Sequence, residues 1–204
     1  MTLDRRKYLN PEETTKLLDM LDREAIVARE RGQRLPVRDE MLIRLAIMSG
    51  LRASELGALV VGDLTLHRGQ PPRVHVRHGK GDKARDVPLP GTLRKTLVEY
   101  IAWMKNAGYA ADADAPLFPG RTGKPMSRSA IWKRWTAALD RAGIEHRPLH
   151  ASRHTTGLTV YRATKDLRLV QRLLGHSKVT TTSIYADILP EDVAAGQDAA
   201  WATR

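Results

Sequence analysis

The chain has 204 residues, enough for one large domain or two small ones with a buried core. It has no cysteine, which excludes disulfide scaffolds, thiolate zinc sites and cysteine nucleophiles. Lysine and arginine number 34 against 23 aspartates and glutamates, and the resulting formal charge of +11 points to a polyanionic partner such as nucleic acid.

An apolar content of 42% argues against disorder. No apolar run approaches the ~20 residues of a membrane span, and no apolar stretch follows Met1-Thr-Leu-Asp-Arg-Arg-Lys as in a signal peptide. Residues 1–9 read as a loose basic arm. Asn10-Pro11-Glu12-Glu13 then predicts a helix start, with Asn as the cap, Pro in the first position and Glu at the second and third. Leu17, Leu18 and Leu21 form its apolar stripe, and Gly32 its stop. A second helix is predicted over 37–48, with Met41, Leu42, Leu45 and Ala46 buried and Gly50 ending it.

Arg52 follows, just ahead of a short helix through Leu59. A cation there meets the positive end of the helix dipole, so an anion at that position would offset the repulsion. Over 63–89 the pattern changes to strand. Asp63-Leu64-Thr65-Leu66 and Arg73-Val74-His75-Val76-Arg77 alternate, and Ala84-Arg85-Asp86-Val87-Pro88-Leu89 is a third candidate. His78-Gly79-Lys80-Gly81-Asp82-Lys83 between the last two is rich in turn residues. A small antiparallel meander with a lysine hairpin is expected. Gly-Lys-Gly lacks the remaining spacing and the following helix of a nucleotide-binding loop, so nucleotide binding is rejected.

Leu93, Leu97, Tyr100, Ile101 and Met104 restore a 3.6-residue period. Residues 106–126 read as loop, anchored by Leu117-Phe118. Ser127 caps the next helix, with Met126 and Ile131 placed as a hydrophobic staple. Trp132, Trp135, Ala138 and Leu139 are expected to pack inward, and Gly143 to end the helix. From His150 a helix runs to about Thr164, and another opens at Lys165 or Asp166 with Leu167, Val170, Leu173 and Leu174. Residues 180–188 carry Tyr185. A last helix over 190–201 is Ala-rich, with a thin apolar face of Val193, Ala194, Ala200 and Trp201.

The stretch 150–185 concentrates the chemistry. His150 and Arg153 are three apart and share a helix face. His176 follows Gly175, a helix-terminating glycine, and so lies on a turn. With Tyr185 these groups suit a reaction in which cationic donors hold a phosphodiester while a hydroxyl attacks phosphorus. A His-x-x-Arg pair or a lone Tyr carries little weight alone.

Four segments in this order resemble the catalytic domain of tyrosine recombinases, the phage integrase and Xer-like family. They are Gly50-Leu51-Arg52-Ala53-Ser54-Glu55-Leu56, Gly79-Lys80-Gly81-Asp82-Lys83, His150-Ala-Ser-Arg153-His154-Thr155, and Leu173-Leu174-Gly175-His176-Ser177 through Tyr185. The resemblance runs from about residue 10 to 190. It implies a mainly α fold with a small three-stranded antiparallel sheet. It implies a site-specific DNA recombinase working through a 3′-phosphotyrosyl intermediate, in integration, excision or inversion. Tyr185 would be the nucleophile, and Arg52 and Arg153 would hold the non-bridging oxygens. His176 would donate to the same phosphate. Lys80 would protonate the leaving 5′-oxygen, with Lys83 as its substitute, and His150 would assist. No cofactor or metal is implied, since two guanidiniums supply the charge, and no ATP. The partners would be double-stranded DNA and further protomers in a tetrameric synapse, with accessory DNA-bending proteins and no membrane. The location would be the cytoplasm, at the nucleoid. Residues 10–204 would form a single catalytic domain without the family's N-terminal DNA-binding domain. Ser152 stands where the family often has Leu. The alternatives are a recombinase-like DNA-binding module without cleavage and a type IB topoisomerase-like activity.

Overall fold

In the computed structural model, residues 4–79 and 83–175 are described. Lys80, His176, Tyr185 and the expected helices over 180–188 and 190–201 lie outside the described residues. Seven α-helices and three strands occur among those described. They are α1 (Pro11–Glu30), α2 (Arg34–Ser49), α3 (Ala53–Ala58), β1 (Leu64–Thr65), β2 (Arg73–Val76), β3 (Arg85–Pro88), α4 (Leu93–Asn106), α5 (Arg128–Arg141), α6 (His150–Thr164) and α7 (Leu167–Leu174).

The helix α2 is the axis of the packing. Its run Met41-Leu42-Ile43-Arg44-Leu45-Ala46-Ile47 is apolar on nearly every side, and all of it but Arg44 is buried. A helix apolar all round must be covered all round. On one side Met41, Leu42, Leu45 and Ala46 join Leu56, Val74, Val87, Leu97, Tyr100 and Phe118. On the other Ile43 and Ile47 join Leu17 and Leu21 of α1 with Trp135 and Leu139 of α5. The helix begins at Arg34, earlier than the pattern predicts, because Pro36 is tolerated in a first turn, where its missing N–H costs no intrahelical hydrogen bond.

The meander forms as expected, in the order β1-β2-β3 with both pairs antiparallel. Val74 pairs with Val87, and both face the core. Pro88 is accommodated because β3 is an edge strand. Asn10 caps α1 with a complete capping box: its side chain accepts from Glu13 N at 2.6 Å, and Glu13 Oε2 accepts from Asn10 N at 2.9 Å.

Two expectations are corrected. The basic arm is not loose where it is described. Arg5–Lys7 form a 3₁₀ turn capped by Asp4, and Tyr8 and Leu9 are buried. Leu9 N donates to Thr155 Oγ1 at 2.8 Å, and Tyr8 packs with Leu158, Tyr161, Val170 and Leu174. Two apolar residues at the end of a charged run suffice to fasten it to α6 and α7. The second correction is Trp132, which is 50% exposed although its neighbour Trp135 is fully buried. They stand three positions apart, and Trp135 packs with Leu17 and Leu21 of α1 and Ile43 and Ile47 of α2 while Trp132 does not join that cluster.

Candidate active site

The α2–α3 junction presents Arg52. Gly50 ends α2 at φ 65°, the left-handed conformation that glycine adopts without strain. Its N–H donates to the Ala46 carbonyl. Leu51 is then buried, and Arg52 stands at the cap of α3. The offsetting anion at that helix start comes from within the chain. Glu55, one turn in, accepts from Arg52 N at 2.8 Å and from Arg52 Nη1 at 2.9 Å.

Glu55 has a second cation. Arg85 Nη1 and Nη2 donate to its two oxygens at 2.7 and 2.9 Å, a bidentate pair across 30 residues of sequence. Burial alone would raise the Glu55 pKa. The hydrogen bonds and charges of Arg85 and Arg52 outweigh burial and hold it at about 2. The carboxylate is therefore ionised across the working pH range. Neither Glu55 nor Arg85 is assigned a role by the sequence. The Arg52-x-x-Glu55 spacing is a usable local signal, whereas the Arg85 pairing has none.

The helix α6 brings His150 and Arg153. It meets α2 through small residues, since Ala151, Ser152, Thr155, Thr156 and Gly157 are all buried. The Thr156 hydroxyl donates to the Ile47 carbonyl at 2.6 Å, which ties the two backbones closely. The entry to α6 is fixed by Arg147. Its carbonyl accepts from Trp135 Nε1 at 2.9 Å, and its Nη2 donates to Glu13 Oε1 at 2.9 Å.

Arg153 is 2% exposed. Its Nη1 donates to the Gly50 carbonyl at 2.6 Å and its Nη2 to the Leu174 carbonyl. One guanidinium thus joins the turn before Arg52 to the turn before His176. Arg52 is more open, with 27% of its side chain exposed. It lines a cleft of about 880 Å³ together with Ser54, Ser127, Arg128, Trp132 and His150. Arg153 does not line that cleft among the described residues. His150 is exposed at the rim, and its ring meets His154 edge-on at 4.7 Å. Desolvation of its inner edge lowers the His150 pKa, and the positive charges of Arg153 and Arg52 lower it further.

The hairpin closes beside this cluster. Gly79 N donates to the Lys83 carbonyl at 3.2 Å, which brings together the two ends of the segment that contains Lys80. Lys83 is exposed. Gly175 ends α7 at φ 63°, as a helix-terminating glycine should. So Arg52, His150, Arg153, the base of the Lys80 hairpin and the residue before His176 converge from four segments. The positions of Lys80, His176 and Tyr185 are outside the described residues.

The family model for the phage integrase family matches residues 7–192. The chain belongs to the phage integrase family. A relative within it, the tyrosine recombinase XerC of Azotobacter vinelandii, is 36% identical over 194 residues, covering 95% of this chain and 60% of the relative. Tyrosine recombinase XerD of Proteus mirabilis is 34% identical over 159 residues, 77% of this chain and 50% of that protein. The chain thus spans about half to three fifths of these curated relatives. Among solved structures, the XerH site-specific recombinase bound to its difH substrate superposes with a TM-score of 0.72 at 26% identity, over 95% of this chain and 53% of that one. XerA recombinase shares the fold with a TM-score of 0.75 over 98% of this chain and 66% of that one, at 24% identity. The mainly helical architecture with its small antiparallel sheet is the tyrosine recombinase catalytic fold.

Proposed function

We propose that this chain is the DNA-cleaving and rejoining domain of a site-specific tyrosine recombinase. The observation that supports this most strongly is the bridge made by Arg153, which gathers Gly50 and Leu174 around the start of α6. Segments more than a hundred residues apart meet there, and each carries or adjoins a group suited to phosphoryl transfer.

In this reading the Tyr185 hydroxyl attacks phosphorus. A 3′-phosphotyrosyl bond forms and the bond to the 5′-oxygen breaks. Lys80 gives a proton to that oxygen, which leaves as a 5′-hydroxyl. Arg52 and His176 donate to the non-bridging oxygens. Arg153 joins them once DNA competes with the two carbonyls it holds here. A phenol of pKa ~10 is mostly protonated at neutral pH, and neutral His150 in the same cluster can take its proton. Rejoining reverses the steps, so bond energy is kept in the phosphotyrosine. Strand exchange needs a nucleophile for each strand, so several protomers act together.

The substrate is duplex DNA. Arg52 and Arg128 line the cleft, and the neighbouring face of α5 borders a groove whose lining includes Arg34, Arg121 and Lys133. The complexes of related recombinases with DNA support the same substrate. The test is capture on a nicked suicide substrate. The wild-type chain should form an SDS-stable protein–DNA band. Tyr185→Phe should bind DNA about as well and form none. A covalent band from Tyr185→Phe would remove Tyr185 from the role. Supercoil relaxation without paired sites would favour the topoisomerase-like activity instead.

A further inference from the structure

Arg85 has no part in the chemistry above, yet its side chain touches three of the segments that carry it. Its two terminal nitrogens hold both oxygens of Glu55, which in turn holds Arg52 by backbone and side chain. At the hairpin, a methyl group on Gly79 would lie 2.9 Å from Arg85 Nη1 and 2.6 Å from the Lys83 carbonyl oxygen. At the end of α7, a methyl group on Gly175 would lie 3.1 Å from Arg85 Nε and 3.3 Å from Cδ. Both glycines are therefore pressed against this one guanidinium. Its Nε is buried without a hydrogen-bond partner among the described residues.

An ion pair that only stabilised the fold would need Glu55 alone. The close packing of two glycine turns onto the same planar group is an additional constraint, and it fixes a distance between segments. We propose that Arg85 is a positioning residue that sets Arg52, the Lys80 hairpin and the turn before His176 in register. The groups that hold the phosphate and the group that protonates the leaving oxygen then arrive together. The proposal rests on the recombinase reading above. Arginine is required because its planar fork spans both carboxylate oxygens while Nη1 lies against Gly79 and Nε and Cδ lie against Gly175. Lysine can answer the charge of Glu55 but cannot fill that geometry.

The experiment compares Arg85→Lys and Arg85→Met with the wild-type chain in single-turnover cleavage of a suicide substrate. Each is run on an ordinary phosphodiester and on a 5′-bridging phosphorothiolate, whose sulfur leaves without protonation. Arg85→Lys keeps a cation on Glu55 and is the variant that preserves folding, checked by thermal melting and DNA binding. Misplacement of reacting groups by about 1 Å costs on the order of 10² in rate, so cleavage of ordinary DNA by Arg85→Lys should fall by about that factor. On the phosphorothiolate the deficit should shrink about tenfold but not vanish, because protonation by Lys80 is no longer needed while Arg52 stays displaced. Lys80→Ala run alongside should recover almost fully, and Arg52→Ala hardly at all. An Arg85→Lys rate near wild type, or an equal deficit on both substrates, overturns the proposal. Should the wild-type chain form no covalent product, the recombinase reading itself fails, and that outcome is distinct because it appears before any Arg85 variant is compared.

Discussion

His150 sits among three charged or polar neighbours, and the sign of their effect sets how it can act. Desolvation and the charges of Arg153 and Arg52 all disfavour the imidazolium. The group is thus neutral at pH 7 and able to accept a proton in the DNA-free protein. A titration of the His150 ring followed by NMR should have its midpoint below the ordinary 6.5. Arg52→Met should raise that midpoint, since one repelling charge is gone. The consequence for stability follows in sign. A histidine with a depressed folded-state pKa contributes nothing above its unfolded value and costs stability as pH falls below about 6.5. A midpoint above 6.5 in the free chain would remove His150 as a proton acceptor. Bound DNA offsets part of that shift without overturning it, because a phosphate beside the ring favours its charged form. Proton uptake by the complex should therefore exceed that of the free chain near pH 6.

At the scale of elements, the parts legible in the sequence are those whose causes are local. The Asn10 capping box, the Ser127 cap, the Gly50 and Gly175 helix ends and the alternation of β2 all depend on residues within a turn of one another. Tyr8, Leu9 and Trp132 depart from the sequence pattern because their burial is decided by partners far along the chain. The Arg85–Glu55 pair leaves no trace in the sequence for the same reason. Arg52, His150 and Arg153 are legible as a set only through motif order, since periodicity says nothing of the bridge from Arg153 to two carbonyls. Gly50 combines both levels. It needs its positive φ to end α2, and a methyl group on it would lie 2.6 Å from Leu174 Cδ2 and 3.3 Å from Thr156 Cβ. Gly50→Ala should therefore lose about 1 kcal/mol to backbone strain and a further ~1–3 kcal/mol to overpacking. Chemical denaturation measures this directly. Gly32→Ala is the control, because Gly32 has a similar φ of 64° but nothing within 4 Å of the added carbon. Equal losses at the two sites would mean that α7 moves aside freely, and that the contact between Gly50 and Leu174 does not hold the site together.

For the whole molecule the governing quantity is charge. A formal +11 favours association with any duplex through release of counterions, with log K falling by about 0.9 per phosphate neutralised for each tenfold rise in salt. The distribution of that charge is more telling than its sum. Much of it is answered internally: Arg38 and Arg134 face Asp39, Arg141 faces Glu24, Arg77 faces Asp63 and Arg147 faces Glu13. Around α5 the balance differs. Arg128 lines the cleft with Arg52, while Lys133 and Arg121 line the groove on the neighbouring face of the same helix. In the proposed reading, a duplex laid on the cleft also runs along this side of the protein. Arg121→Ala, Arg128→Ala and Lys133→Ala should each weaken binding to specific and random duplexes alike and lower the salt slope by about one. Lys95 pairs with Glu99 on the exposed side of α4 and lines neither cleft nor groove. Lys95→Ala should leave the slope unchanged. The measurement is binding affinity across a salt series for all four variants. If Lys95→Ala lowers the slope as much as the α5-side variants do, the charge acts as a diffuse field and the duplex has no preferred track along α5. If only the α5-side variants do so, the duplex follows the helix from the Arg52 cleft to the arginine-rich groove.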